Sequence, residues 1–277
     1  MSISIIVAVY KRYKHLYWCL KSLANQTFKN FEVILADDGT SGEELNEIKK
    51  IVNEFSRKLN IKHIWHPDNG FQKSLILNKA VKASVSDYLI FLDCDVIFNT
   101  FLVETYYKNF LKYKKYDKLL FTGDMIFLKE NISNKILNNR SLSVEEAISM
   151  IKKDFNINEI LYRESRHIKY RFYKIFKTKY PKGWGANKAL TRKAFYSVNG
   201  YDNNFINRGE DTDFMKRLVL NNTKRISLNT KIIAYHLYHK MVIEPENIRQ
   251  KTRERLKWNY YRNNPETIIA SNGLNEA

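Results

Sequence analysis

The chain has 277 residues, enough to bury a full hydrophobic core, and carries 47 Lys and Arg against 29 Asp and Glu, a net charge of +18. This surplus favours an anionic partner: nucleic acid, an acidic membrane surface, or an anionic glycan or nucleotide substrate. Two distant cysteines exclude a disulfide framework, and no apolar run approaches the ~18 residues of a membrane span, so we expect a cytoplasmic protein.

The first half of the chain alternates apolar runs with helical patterns. Strands are predicted at 4–10, 31–36, 61–65 and 88–93, and helices at 15–23, 43–59 and 73–83. The apolar opening has no basic leader and is interpreted as a first strand, not a signal peptide. This alternation predicts an α/β fold, a mainly parallel sheet with helices on both faces. The ligand crevice of such a sheet would be lined by Ala8, Val9, Asp37, Asp38, Asn69, Gly70, Asp93 and Asp95.

The stretch DYLIFLDCD at 87–95 carries the strongest chemical signal. Its apolar part is typical of a strand covered on both faces, and Asp93 and Asp95 follow where that strand ends. Residues two apart in an extended chain point the same way, so both carboxylates can face one ligand. Such oxygens suit Mg²⁺ or Mn²⁺ carrying a phosphate better than they suit zinc. The alternative is a solvated acidic turn.

Other polar residues stand near the same predicted edge. Asp38 follows the second strand and could accept hydrogen bonds from a nucleobase or ribose, although Asp-Asp-Gly is also an ordinary turn sequence. Gln72 and Lys73 open a helix and could reach a phosphate, although solvated side chains are the default there. Neither GxGxxG nor a P-loop motif occurs, so a phosphate must be held through metal and side chains.

The second half offers a carboxylate pair and a histidine pair. Glu210 and Asp211 precede an apolar-periodic stretch, which places them in the first turn of a helix, where acids are also common for structural reasons. His236 lies in an apolar strand, where an isolated histidine is usually a core residue. His239, three positions later, favours a pair of metal ligands.

Two basic and aromatic segments, 166–182 and 245–262, account for much of the surplus charge. Lys and Arg attract acidic headgroups while Tyr and Phe seat at the interface, so these segments could lie on an anionic membrane. The first could equally be a mobile loop that closes over a bound ligand or a helix with a charged face. Trp184 beside Gly185 is either a core aromatic or the floor of a substrate site, and we favour substrate contact.

Two known classes of protein fit parts of the sequence. A nucleic-acid-binding protein would use the charge and the interleaved aromatics, but no RRM, OB, zinc-finger or helix-turn-helix signature accompanies them, and no nucleic acid is expected as a partner. A sugar-phosphate nucleotidyltransferase would share the fold. The glycine-rich, lysine-bearing first loop of such enzymes does not follow Val9.

The chain resembles family 2 glycosyltransferases with the GT-A fold, in which DxD is the metal and sugar-nucleotide signature. Their nucleotide-binding half is similar to SIIVAVYKR, QTFKNFEVILADDGT, HPDNGFQKSLILNKAV and DYLIFLDCD. The galactosyltransferase-like carboxyl-terminal region of chondroitin-polymerase-type and surface-polysaccharide transferases is similar to KGWGANKALTRKAFYSVNGYDNNF, RGEDTDFMKRL and AYHLYH. The resemblance covers roughly 2–124 and 182–258. Many relatives carry Gly-Trp-Gly where this chain has Asn207, Arg208 and Gly209, so donor and acceptor preferences do not transfer.

The resemblance implies a donor site built from the first half. Asp38 would contact the uracil ring, with the backbone of Ala8 and Val9 near the same base. Asp93 would touch the ribose or join the metal's ligands, while Asp95 would ligate the cation bridging the two phosphates. The rest of the nucleotide-sugar site would comprise Arg12, Gln72 and Lys73.

The resemblance also implies roles in the second half. His236 would be the third metal ligand, and His239 a substitute or a partner of the ligands. Asp211 matches the general base of inverting members, and Glu210 matches a residue that holds the donor or acceptor sugar. Sugar contacts would also come from Trp184 and Gly185.

Residues and resemblance together predict a metal-dependent, inverting glycosyltransferase that uses Mn²⁺ or Mg²⁺. It would move a hexose or N-acetylhexosamine, with galactose or N-acetylgalactosamine first, from a UDP-sugar to a hydroxyl of a growing bacterial surface glycan such as lipooligosaccharide or capsule. The acceptor could be lipid-linked, with the enzyme at the cytoplasmic membrane face. Four parts are expected: a nucleotide-sugar half, a basic insertion, an acceptor and catalytic half, and a basic tail, at 1–124, 125–181, 182–240 and 241–277.

Overall fold

The computed structural model describes residues 2–155, 185–206, 208–229, 231–240 and 245–277. The strands are β1 (Ile3–Val9), β2 (Phe31–Asp37), β3 (Ile61–Trp65), β4 (Tyr88–Asp93), β5 (Val96–Phe98), β6 (Leu119–Thr122), β7 (Asp124–Phe127), β8 (Asn187–Thr191), β9 (Lys224–Ser227) and β10 (Ile233–His236). The α-helices are α1 (Tyr13–Ala24), α2 (Gly42–Phe55), α3 (Lys73–Ala83), α4 (Leu102–Lys112), α5 (Glu130–Leu137), α6 (Val144–Asp154), α7 (Arg192–Tyr196), α8 (Glu210–Leu220), α9 (Glu246–Arg255) and α10 (Trp258–Asn263).

In the described part of the chain, seven strands form a central sheet in the order β3-β2-β1-β4-β8-β6-β9. The first four are parallel, and Ala8 pairs in register with Ala36 on one side and Asp93 on the other. β8 runs antiparallel between β4 and β6, and β9 lies parallel to β6. The prediction of an α/β, mainly parallel sheet is confirmed, and the carboxyl ends of β1, β2 and β4 meet at one edge.

A smaller sheet, β5-β10-β7, lies beside the central one. β10 is antiparallel to β5, with His236 opposite Val96, and parallel to β7. The short turn through Asp95 joins β4 of the large sheet to β5 of the small one, and the Leu237 N–H donates to the Asp95 carbonyl at 2.9 Å. This pairing brings residues from near the end of the chain to the edge where β4 stops.

Apolar side chains cover both faces of the central sheet, as the continuous apolar sequences of β1 and β4 require. One face packs against α1, α2, α4, α5 and α6, around the fully buried Trp18, Tyr106 and Phe110. The other face packs against α3, α7 and α8, around Phe91 and Phe195. Each such side chain contributes about 1.5–3 kcal/mol when buried, which makes the sheet edge a rigid support for polar side chains.

Most predicted boundaries in the first half lie within one or two residues of the observed ones, and the largest difference is at the end of α2. α2 ends at Phe55, short of the predicted 59, because the N–H groups of Lys58 and Leu59 both turn back to the Phe55 carbonyl. Part of the predicted insertion supplies most of β7 together with α5 and α6, which pack against α1. The basic stretch 166–182 and Trp184 lie outside the described residues.

The tail is attached to α8. α9 has no buried residue, whereas Tyr261 of α10 is buried and its hydroxyl donates to Asp213 Oδ1 at 2.8 Å. The other oxygen of Asp213 accepts from Arg217 Nε at 2.7 Å. These contacts hold the helix that begins at Glu210. Among the described helices, none has the length and apolar content that crossing a bilayer requires.

Candidate functional site

A cavity of about 460 Å³ opens at the carboxyl edge of β1, β2 and β4. Other elements complete its wall: Lys73 begins α3, Glu210 begins α8, and His236 ends β10. The predicted site residues that line it are Ala8, Val9, Arg12, Asp38, Lys73, Asp93, Asp95, Glu210, His236 and His239. Convergence of side chains from both halves of the chain makes this cavity the candidate active site.

Some predicted residues stand behind this wall. Gln72 donates its backbone N–H to Asp38 Oδ2 at 3.0 Å, and its side chain is not part of the cavity lining. Gly185 and Asp211 lie beside each other just outside the lining, where a Cβ built on Gly185 would overlap the Asp211 carboxylate. The expectation that Asp37 and Asn69 line the crevice is wrong, whereas Gly70 lines it as expected. The carboxylate of Asp37 accepts hydrogen bonds from Thr40 and contacts His63 Nε2, which fixes the turn after β2.

Three side chains converge as a potential metal site. The ligand atoms of Asp95, His236 and His239 all lie within 4.8 Å of one another. The Asp95 carboxylate is 5% exposed, with His236 Nε2 3.4 Å from Oδ1 and His239 Nε2 3.2 Å from Oδ2. Burial opposes ionisation of Asp95, but the two imidazoles and the Arg12 guanidinium outweigh it and lower its pKa to about 2.

The donor set of this group fits a divalent cation. Asp95 Oδ1 is buried and has no hydrogen-bond partner within the described residues, as expected of an oxygen reserved for a ligand. Asp93 is not part of the converging group, since its Oδ1 lies 3.1 Å from Lys73 Nζ. Burial, with Asp95 and Asp211 nearby, raises the pKa of Asp93 against the opposing charge of Lys73. The structure therefore separates the two carboxylates of the DxD sequence.

Hydrogen bonds from three elements fix the segment that carries His239. The Tyr238 N–H donates to Ser133 Oγ at 2.8 Å, and the Tyr238 carbonyl lies 3.1 Å from His15 Nε2. The His15 and His239 rings meet edge-on with centroids 6.3 Å apart. With the bond from Leu237 to Asp95 already described, this segment is held by α1, α5 and the β4–β5 turn. Partners of this kind orient the ligands of metal sites.

The far end of the cavity is organised around Asp38. Its Oδ1 lies 2.8 Å from His66 Nε2, while Oδ2 accepts the Gln72 N–H. Burial raises the Asp38 pKa, opposed by His66 and by that N–H. The Asp38 N–H in turn donates to the Val9 carbonyl at 2.9 Å, and the Cys94 N–H donates to Ala8. The carboxylate is thus held in one orientation at the end of β2.

Lys73 joins three acids from different elements. Its Nζ lies 3.1 Å from Asp93 Oδ1, 3.2 Å from Glu210 Oε1 and 3.2 Å from Asp211 Oδ2. Burial would lower the pKa of Lys73, but these carboxylates raise it well above its ordinary value, so the side chain is an ammonium ion. A cation therefore stands at the centre of the wall formed by β4, α3 and α8.

Glu210 and Asp211, neighbours in sequence, occupy different environments. α8 begins after Gly209, whose φ of +116° suits glycine, and directs Glu210 into the cavity. Burial raises the pKa of Glu210 to about 7, although Lys73 opposes this. For Asp211, burial is outweighed by Lys188, Lys73 and Tyr201, which lower its pKa well below the usual range. The pair thus combines an acid that titrates near neutrality with a permanent carboxylate.

Sequence reasoning missed several residues that hold the site. Lys188, Tyr201, His66 and His15 each contact a predicted site residue or the segment that carries one. His66, Lys188 and Tyr201 lie in segments that carry the family resemblance, but the resemblance assigns them no role, and His15 lies outside those segments. Lys188 in the strand NKALT resembles an ordinary solvated lysine, and only tertiary packing shows its burial.

Comparisons with known proteins identify the family of this chain. The sequence matches the profile of Glycosyl transferase family 2 over residues 4–197, and that described as the N-terminal domain of galactosyltransferase over 166–240. It is 28% identical over 232 residues to chondroitin synthase from Escherichia coli, covering 78% of this chain but 32% of the synthase. The chain thus spans about a third of that relative's length.

Two solved structures share the fold at low sequence identity. S. aureus TarS 1–349 in complex with UDP-GlcNAc has a TM-score of 0.59 and 17% identity, over 92% of this chain and 65% of that chain. The mannosyltransferase PcManGT from Pyrobaculum calidifontis, in complex with GDP-Man and Mn²⁺, has a TM-score of 0.60 and 11% identity, over 95% and 64%. These similarities establish the GT-A fold.

Proposed function

The chain belongs to Glycosyl transferase family 2, and from that premise we propose that it is a metal-dependent, inverting glycosyltransferase. It moves a hexose or N-acetylhexosamine from a UDP-sugar to a hydroxyl of a growing bacterial surface glycan. One observation carries the proposal: the Asp95 and histidine group and the acidic start of α8 border a single cavity. A leaving diphosphate needs a cation and an attacking hydroxyl needs a base, and this cavity offers groups suited to both.

Asp95, His236 and His239 would hold the cation. Two imidazole nitrogens beside one carboxylate favour Mn²⁺ over Mg²⁺, because Mg²⁺ prefers an all-oxygen shell. When bound, the ion would neutralise charge that develops on the leaving diphosphate. The PcManGT complex, which contains Mn²⁺ together with GDP-Man, supports this choice.

The remaining cavity residues would bind the donor. Arg12 and Lys73 supply positive charge for the diphosphate, and Asp38 faces the base with its orientation fixed by His66. A carboxylate accepts a hydrogen bond from the imide N–H of uracil, which cytosine lacks. The TarS complex with UDP-GlcNAc supports a UDP-linked donor.

Asp211 would act as the base. Its carboxylate takes the proton of the acceptor hydroxyl while that oxygen attacks the anomeric carbon from the side opposite the diphosphate, which inverts the configuration. Glu210 would bind a sugar hydroxyl, and its pKa of about 7 allows it to donate as well as to accept a hydrogen bond. The acidic pair therefore divides proton abstraction from sugar positioning.

The basic tail would bring the enzyme to its acceptor. α9 exposes Arg249, Lys251 and Arg253 along a helix without buried residues. Such a surface is attracted to anionic lipid headgroups at about 1 kcal/mol per basic residue near the membrane. We therefore place the reaction at the cytoplasmic membrane face, with a lipid-linked glycan as the acceptor.

The proposal is tested by donor binding and by turnover in two variants. Thermal stabilisation by UDP-, GDP-, CMP- and dTDP-sugars is measured with and without Mn²⁺, since a ligand of the native state raises the melting temperature. Asp95→Ala should remove the Mn²⁺-dependent part of that stabilisation. Asp211→Asn should keep donor binding and abolish transfer, and Asp117→Asn, an exposed acid paired with Lys193, is the control.

Two results would contradict the proposal. If no nucleotide sugar stabilises the chain with Mn²⁺ while RNA binds in a salt-sensitive manner, the positive charge serves a nucleic acid. If Asp211→Asn turns over normally, the base is assigned wrongly. Release of UDP with an inverted product linkage is the result expected of the unmodified enzyme.

A further inference from the structure

Lys188 is a fully buried lysine in the middle of the central sheet. It lies on β8 between β4 and β6, and its side chain is 0% exposed. Its Nζ contacts Asp211 Oδ1 directly. An ammonium ion in such a place loses its hydration and persists only when a charge partner compensates it. Asp211 is that partner.

Three aromatic rings surround the same ammonium. The ring centroids of Tyr201, Phe214 and Phe91 lie 5.1, 5.5 and 5.7 Å from Lys188 Nζ. The face of each ring attracts a cation. A ring face offers no conventional hydrogen-bond acceptor, so the rings do not compete with Asp211 for the N–H groups of the ammonium. The three rings leave the ammonium directed toward Asp211. They therefore fix the position of Lys188 Nζ, and the Lys188 ammonium in turn fixes the orientation of the Asp211 carboxylate.

The two oxygens of Asp211 have different surroundings. Oδ1 receives the Lys188 ammonium and the Tyr201 hydroxyl, the latter at 3.0 Å, both from the protein interior. Oδ2 lies 3.2 Å from Nζ of Lys73, a residue that lines the cavity. Oδ2 also occupies the space left by the missing side chain of Gly185. The Asp211 side chain retains 19% exposure, with Oδ1 held by two interior groups and Oδ2 in contact with the cavity-lining Lys73.

We propose that Lys188 is a positioning residue that holds Asp211 by Oδ1 so that Oδ2 alone acts as the base. This inference rests on the proposed function, in which Asp211 removes the acceptor proton. In the transfer step the acceptor proton moves to Oδ2, the acceptor oxygen bonds to the anomeric carbon, and the bond from that carbon to the diphosphate oxygen breaks with release of UDP. Lys188 takes no part in the proton transfer itself.

Lys188→Met in the full chain tests the proposal. Methionine keeps the length of the side chain and removes the charge. We expect kcat to fall about 100-fold, the effect of misplacing a reacting group by about 1 Å, while the Kd of the UDP-sugar with Mn²⁺ stays within about threefold. Lys193→Met, which removes an exposed lysine from the adjacent helix α7, is the matched control and should leave both quantities unchanged.

The pH profile supplies a readout that a purely structural role would not move. The groups that face Asp211 are Lys188, Lys73, Tyr201, Glu210 and Asp93. Removing one cation raises the pKa of Asp211, so the acid limb of kcat/KM in Lys188→Met should move to higher pH. Stability provides a second readout, because Asp211→Asn leaves Lys188 buried without its charge partner. The double variant Asp211→Asn with Lys188→Met should therefore melt higher than Asp211→Asn alone.

The outcomes separate this inference from the base assignment. If Asp211→Asn is inactive while Lys188→Met has normal kcat and a normal acid limb, the positioning role is refuted and the base stands. If Lys188→Met loses donor binding and stability in equal measure without a shift of the acid limb, the lysine is structural only and the proposal fails. If Asp211→Asn keeps its turnover, the base assignment fails and this inference falls with it.

Discussion

Glu210→Gln should stabilise the protein at alkaline pH and have little effect near pH 4.5. The Glu210 side chain is 7% exposed, and burial, partly opposed by Lys73, raises its pKa from 4.5 to about 7. The folded protein therefore keeps a proton that the unfolded chain releases above about pH 4.5. As pH rises from 4.5 through 7, stability falls, because only the folded state must ionise a buried carboxyl group.

The size of the effect follows from the pKa. A rise from 4.5 to about 7 corresponds to about 3.5 kcal/mol in full, at about 1.4 kcal/mol per pKa unit. Glutamine resembles the protonated carboxyl group and does not ionise, so the variant escapes this loss. The difference in free energy of unfolding between Glu210→Gln and the unmodified protein should therefore grow by about 3 kcal/mol between pH 4.5 and pH 8.

Urea unfolding at intervals between these pH values, in the presence of a chelator, measures this difference. Glu43→Gln is the matched control, because Glu43 is an exposed acid in the first turn of α2 and its removal changes the net charge equally. Its stability should stay parallel to that of the unmodified protein. A Glu210→Gln curve that is also parallel would refute the view that Glu210 is a buried carboxyl with a raised pKa.

Three other substitutions test separate contacts of the site. Gly185→Ala should lower kcat about 100-fold with donor affinity retained, because its Cβ would displace the Asp211 carboxylate, and normal steady-state turnover would contradict this. His15→Ala should weaken Mn²⁺ binding about tenfold in calorimetry, since it removes the contact with the Tyr238 carbonyl that helps to hold the neighbouring His239. Unchanged affinity would show that His15 is not needed to position His239. Tyr261→Phe should cost about 2 kcal/mol in urea unfolding, because it removes a buried hydrogen bond to Asp213, the ion-pair partner of Arg217. A loss below about 0.5 kcal/mol would contradict the anchoring of α8.

Local patterns were sufficient to predict the first four strands and the acids at their ends. Apolar runs of strand length predict β1, β2 and β4. Asp38 and Asp95 lie within two residues of the ends of β2 and β4. Residues that follow the carboxyl ends of parallel strands meet at the same edge of the sheet, so the strand prediction alone places both acids in one crevice. The same inference was wrong for Asp37. Its carboxylate oxygens contact Thr40 and His63 instead of the crevice, and a position at the end of a strand does not predict such contacts.

Residues that work through tertiary contacts could not be predicted in this way. Lys188 becomes a buried cation only because β8 inserts antiparallel between β4 and β6, a pairing that no local pattern specifies. The resemblance named Asp95 and His236 together as metal ligands, and it allowed Asp93 either to join them or to contact the ribose. Lys73 draws Asp93 away, and that competition depends on distances the sequence does not contain. The metal-ligand and base assignments themselves remain predictions until the variants are measured.

The pairing of β10 with β5 also affects the order in which this chain folds during translation. Asp95 emerges from the ribosome with strands that can already pair as a parallel sheet, whereas His236 and His239 follow β9 in the chain. N-terminal parts generally fold first during translation, so the first four strands can form before either imidazole exists. The group of Asp95, His236 and His239 would then be completed only after those strands. An incomplete chain that stops before β10 would keep Asp38 and Asp95 but lack both imidazoles, and would therefore retain only one of the three residues of the potential metal site.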